Sequence, residues 1–196
     1  MIGVLAYGSL ISDPGEELAA AIIGEKRGVI TPFHVEFARS SQGRCGAPTL
    51  VPVASAGRPV RAVIFEVGIS VHEACDIVYR REVNAVSSGR KYIEPDSTKT
   101  NAVRLDQFEN FEGFDVVIST RMSPNIEKPS GDFLADLAIT SARRLRDGRD
   151  GISYLLNAKT HGIETELSAA YEQAILKRTR ATDLAEALKT VWAGLP

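Results

Sequence analysis

The chain opens on Ile2-Gly3-Val4-Leu5-Ala6-Tyr7-Gly8-Ser9-Leu10. An apolar run cut off by a Gly-Ser pair is the pattern of a buried strand that ends in a loop. Working outward, Val35-Glu36-Phe37-Ala38-Arg39 alternates with period two, and Val60-Arg61-Ala62-Val63-Ile64-Phe65 does so more loosely. Both predict strands. Between them Gly43, Gly46, Pro48, Pro52, Gly57 and Pro59 punctuate the backbone and limit any helix, which leaves Thr49-Leu50-Val51 as a third strand. Phe114-Asp115-Val116-Val117-Ile118-Ser119 is one more.

Ser70-Val71-His72-Glu73 carries the Ser-x-x-Glu pattern of a capping box and predicts a helix running to about Asn84. On that helix Val71, Cys75, Val78 and Glu82 share one face, three of them apolar and the last a carboxylate. Beyond the loop 123–131 the pattern turns helical, over Asp132 to Arg146, about Glu164 to Arg178, and Asp183 to Val191. The expected class is α+β, a single domain over residues 1–196 with a helix-rich portion from about residue 131.

Composition narrows the function. In 196 residues, 23 Lys and Arg stand against 25 Asp and Glu, a net charge of −2. That balance lacks the basic footprint of a nucleic-acid binder and the polybasic run of a lipid-surface protein. With 44% hydrophobic and 24% charged residues the chain reads as an ordinary globular protein. No uncharged stretch approaches the roughly 18 residues of a membrane helix. The first basic side chain is Lys26, so no secretory start is expected. Cys45 and Cys75 are the only cysteines and lack metal-ligand spacing, which argues against a disulfide framework and for the cytoplasm.

Two places are candidates for chemistry. At Tyr7-Gly8-Ser9-Leu10, glycine lets the backbone bend so that freed N–H groups hold a carboxylate or oxyanion, with the Ser9 hydroxyl as a further donor. The alternative is a plain strand-to-loop turn. Ser9 is not in a Gly-x-Ser-x-Gly elbow, so a hydrolase triad has no support. Glu82 is the second candidate, because a carboxylate on the apolar side of a helix is costly to bury ionised and suits proton transfer. Alternatively Glu82 swings into water and pairs with Arg80, Arg81 or a residue elsewhere. His34, His72 and His161 form no cluster, so no metal is expected. Cys45 is read as a packed turn residue before an activated thiol, and the pairs Arg80-Arg81 and Arg143-Arg144 as solvated helix faces.

Taken in order, these residues resemble the gamma-glutamylcyclotransferase-like superfamily, which includes the ChaC-type glutathione-degrading enzymes. Leu5-Ala6-Tyr7-Gly8-Ser9-Leu10 is similar to its opening Tyr-Gly-Ser loop. Phe37-Ala38-Arg39-Ser40-Ser41 followed by Gly46-Ala47-Pro48-Thr49-Leu50-Val51 resembles the strand, Arg/Ser segment and Gly-x-Pro turn of the ChaC branch. Arg80-Arg81-Glu82 resembles the Arg-Glu that ends the family helix, and Gly89-Arg90-Lys91-Tyr92 the Gly-x-Tyr beyond it, here after a longer stretch. The match covers roughly the first half of the chain.

The resemblance implies a small mixed β-barrel with flanking helices. It implies an enzyme that closes a γ-glutamyl group of glutathione or a γ-glutamyl peptide or amine to 5-oxoproline, releasing the attached amine. Glu82 would be the catalytic acid/base. Tyr7, Gly8, Ser9, Leu10, Arg39 and Tyr92 would bind substrate, with Arg39 open to a structural role beside a carboxylate instead. No cofactor or metal is implied, and the partner is a small-molecule γ-glutamyl substrate. The competing readings are a related γ-glutamyl chemistry such as release of a γ-glutamyl protecting group, a non-catalytic binder of an acidic or γ-glutamyl small molecule, and an amidase or esterase using Ser9 or Cys45.

Overall fold

The opening run forms β1 (Ile2–Ala6), and its burial follows from strands on both sides. Antiparallel β5 (Arg61–Val67) sets Ile64 opposite Leu5, and parallel β7 (Phe114–Arg121) sets Ser119 opposite the same residue. The sheet continues outward to β2 (Ile22–Ile30) beyond β5 and β6 (Arg104–Phe111) beyond β7, in the order β2-β5-β1-β7-β6. A Glu112-Gly113 turn with φ of 55° and 88° joins β6 to β7. Positive φ at both central residues matches the right-handed twist of a hairpin, and Gly113 takes it without a Cβ penalty.

This computed structural model describes residues 1–194. Contacts divide the chain into two compact units, Met1–Thr31 with Arg61–Ser123, and Pro32–Val60 with the chain from Pro124 onward. The first holds the five-stranded sheet, the short helices α1 (Ser9–Ser12) and α2 (Glu16–Ala21), and the long helix α3 (Val71–Glu82). Ala74, Cys75 and Val78 of α3 join Val4, Ala6, Leu10, Phe65, Leu105 and Ile118 in one buried cluster. The Ser70 hydroxyl accepts the Glu73 N–H at 3.2 Å, the capping bond that starts α3 where the sequence predicts it.

The second unit pairs β3 (Val35–Ser41) with β4 (Ala47–Pro52) and carries α4 (Gly131–Ala142), α5 (Gly151–Thr160), α6 (Ser168–Thr179) and α7 (Leu184–Ala193). Phe37 sits edge-on to Tyr154 and Tyr171, with ring centroids 6.3 and 5.2 Å away. Glu36 is buried beside it and accepts from the Phe37 N–H, the Thr165 hydroxyl and the Leu167 N–H.

The mixed α+β class stands. No closed barrel is found among the described residues: β2 and β6 are the two ends of the five-stranded sheet, with no strand pairing between them. β2 meets water along most of its length and carries Glu25, Lys26 and Arg27, the charged edge that discourages further strand addition. Two helix bounds also move. The helix expected to reach Arg146 ends at Ala142, and the one expected from Glu164 starts at Ser168. No helix among the described residues is long and apolar enough to cross a membrane.

Candidate functional site

At the end of β1 the chain turns on Gly8, whose φ of 60° and ψ of −136° lie where a Cβ is not tolerated. The Tyr7 hydroxyl donates to the Thr120 carbonyl at 3.3 Å and pins the turn to β7. Leu10 then drops into the core, so its side chain is committed to packing. With glycine at the N-cap, no side chain caps the first amides of α1. Gly8→Ala is expected to lower the unfolding free energy by about 1–3 kcal/mol, as strained backbone costs. Urea denaturation followed by circular dichroism checks this, and unchanged stability would mean the turn reshapes without strain.

The last turn of α3 reaches this loop. Arg81 donates to the Ser9 hydroxyl at 3.3 Å through Nη2, and to the Asp13 carbonyl through Nε and Nη2 at 3.1 and 2.7 Å. Its Nη1 donates to Glu82 Oε1 at 2.7 Å. Both side chains are largely withdrawn from water, at 13% and 15% exposure. Glu82 therefore pairs with Arg81, one of the partners weighed for it, yet does not swing out into solvent. The pair Arg80-Arg81 is corrected here, because neither guanidinium is a solvated helix face. Arg143 and Arg144 are exposed, as expected.

Arg80, 8% exposed, forks onto Glu17 of α2 with contacts of 2.8–3.1 Å and donates to the Arg90 carbonyl. The hydrogen bond from Arg80 holds the Glu17 carboxyl below its usual value of 4.5, against burial and helped by the Ser87 N–H. Asp76, almost fully buried, accepts from Lys91 Nζ at 2.9 Å and from the Tyr92 N–H at 2.7 Å, with His72 3.7 Å away. Burial pushes the Asp76 carboxyl up. The Lys91 and Tyr92 hydrogen bonds and the Lys91 and His72 charges outweigh it and hold the group below 3.8. These ties strap the segment 87–92 along α3.

A lowered carboxyl pKa stabilises the fold above its unfolded value, and that stabilisation is lost as the pH falls through the folded value. The strap is therefore expected to be at full strength at neutrality and to loosen as the pH falls below the ordinary carboxyl values of 3.8 and 4.5 and through the lowered folded ones. The NMR shift of the Tyr92 amide reads this directly; a shift constant across that range would show that Asp76 does not hold the strap.

Tyr92 is part of this strap. Its hydroxyl donates to Glu94 and accepts the Leu105 N–H at 3.1 Å, and its ring packs 5.6 Å from that of Tyr79. Burial, then the Glu94 hydrogen bond, pushes the phenol up to about 12. Arg39 lies on β3 of the second unit, where burial lowers its guanidinium pKa from the ordinary value. The hydrogen-bonded cluster of Ser9, Arg81 and Glu82 is made within the first unit alone.

Cys75 is buried, and burial, then the Asp76 charge, pushes its thiol up, away from the reactive form. The Ser9 hydroxyl accepts from a guanidinium, the opposite of the adjacent base an activated hydroxyl needs. Sequence reasoning weighed Arg81 as a partner of Glu82 but missed its hold on Ser9 and Asp13. Its one signal was adjacency to Glu82 at a helix end, which by itself does not bring two side chains together. Comparison with known protein families returned no matching family model, and comparison with curated proteins returned no significant match.

Proposed function

We propose that this protein cyclises a γ-glutamyl group to 5-oxoproline and releases the attached amine or amino acid. The observation that carries the reading is the Glu82 carboxylate, withdrawn from water at the end of α3 and joined through Arg81 to the Ser9 loop. A carboxylate beside a turn with uncapped amides offers a proton acceptor next to donors for a developing oxyanion. A site that only held an anion would gain nothing from a second negative group there. The motif order of a gamma-glutamylcyclotransferase-like chain supports the same reading, and the small barrel of that family belongs to it as an expectation.

The chemistry follows from the substrate. Its α-amine and γ-carbonyl are already tethered, so fixing the ring-closing conformer supplies much of the rate. Glu82 takes a proton from the α-ammonium, and the freed amine attacks the γ-carbonyl carbon to form the ring C–N bond. The tetrahedral oxyanion is held by donors of the Tyr7–Leu10 loop. Glu82 then delivers its proton to the departing nitrogen as the exocyclic C–N bond breaks, takes the second proton from the ring nitrogen as the lactam forms, and gives it to the released amine. One γ-glutamyl amide becomes 5-oxoproline and a free amine, with no water consumed.

The test is 5-oxoproline release from a panel of glutathione, γ-glutamyl amino acids and γ-glutamyl-amines. Product from one class names the leaving group. Absence of product from all, together with a melting temperature raised by 5-oxoproline, would replace the reaction with binding alone.

A further inference from the structure

We propose that Arg81 is the positioning residue of this site: it holds Glu82 by Oε1 and the Ser9–Asp13 loop by the other side of the same guanidinium, so the acid/base group and the substrate loop move as one piece. The inference rests on the cyclisation reading and concerns how that site is held together.

Adjacent side chains on a helix diverge, so an ion pair between residues 81 and 82 is not what helix geometry supplies. It forms here because three other contacts have already drawn the guanidinium towards the loop. Nε and Nη2 share the Asp13 carbonyl, Nη2 also meets the Ser9 hydroxyl, and only Nη1 is left to turn to the carboxylate. The stem is confined as well. Gly15, at φ 78°, crosses close above it, and a Cβ there would lie 3.2 Å from Arg81 Cγ. Confinement at the stem and the two nitrogens bonded to the loop fix where Nη1 points, and that fixes Oε1. Among the described residues no hydrogen bond reaches Oε2, which stays available for the proton. Lysine cannot substitute, because a single ammonium has no planar fork to span loop and carboxylate together.

Arg81→Ala is expected to keep the fold and lower kcat roughly 100-fold, the cost of a catalytic group displaced by about an ångström. KM should change far less, since Arg81 acts through Glu82. Arg81→Lys should recover little of the loss, and added guanidinium should recover part of it in Arg81→Ala. In a double-mutant cycle Arg81→Ala should slow Glu82→Gln no further, whereas a merely structural role would give additive losses. Retained kcat or additive losses would overturn the proposal. A wild-type protein inactive on the whole panel would refute the cyclisation reading instead. Amide exchange over residues 9–13 then decides Arg81 alone: faster exchange in Arg81→Ala sustains the tie, and unchanged exchange removes it.

Discussion

Glu82→Gln is expected to lower 5-oxoproline release by a factor of about 10² to 10⁴, the usual contribution of a positioned acid/base group. The substitution isolates proton transfer from everything else. Glutamine has the same length and keeps an oxygen to accept the Arg81 Nη1 hydrogen bond, so the loop and the last turn of α3 retain their tie. What disappears is the ability to accept and return a proton. Stability should change little, because the carboxylate has one strong partner and keeps some exposure. Initial rates on the substrate the panel identifies, beside a melting curve for each protein, make the comparison. Full turnover in the variant would remove Glu82 from the mechanism.

The largest effect on stability is expected at Glu36. This carboxylate is 2% exposed and accepts from three donors: the Phe37 N–H at 2.7 Å, the Thr165 hydroxyl at 2.5 Å and the Leu167 N–H at 3.2 Å. Glu36→Ala strands those donors, at about 1–3 kcal/mol for each that stays unsatisfied. Thr165 escapes part of this by turning to Ser168 Oγ, 3.1 Å away, so a net loss of about 3 kcal/mol is expected. For a chain of this size that lowers the melting temperature by roughly 6–12 °C. The protein's one tryptophan, Trp192, lies in the same unit and donates to the Ala142 carbonyl, so intrinsic fluorescence follows the relevant transition. Glu36→Gln, which keeps one acceptor oxygen, should lose less. An unshifted fluorescence transition in Glu36→Ala would mean water replaces the carboxylate at no cost.

What was legible in the sequence follows from where each element meets water. The central strands β1, β5 and β7 and the hairpin strands β3 and β4 were visible, because buried strands must be apolar at regular positions. The Ser70 cap was visible because its bond is local. β2 and β6 were missed, since an edge strand wetted along much of its length carries no such pattern. The expected barrel came from resemblance rather than from any residue pattern, and no closed barrel is found among the described residues. At the site, Glu82 could be singled out by its place on the apolar face of α3. The tie from Arg81 to the loop could not, because its acceptor lies 68 residues earlier in the chain. The Tyr92 hydroxyl was likewise unreadable, since its acceptor role towards Leu105 depends on how the strap returns to β6.

The connectivity of the two units has a consequence for how the protein is made. The chain leaves the first unit after Thr31, returns at Arg61 and leaves it finally after Ser123, so neither unit is a continuous segment. As the polypeptide emerges from the ribosome, β3 and β4 are synthesised before β5, β6 and β7, yet belong with helices made last of all. A chain halted at Ser123 would hold every strand of the large sheet while the hairpin bearing Phe37 and Glu36 still lacked α5 and α6. No single cut in the gene would yield either unit whole, and an early stop codon would leave an apolar hairpin exposed for chaperones and proteases to find.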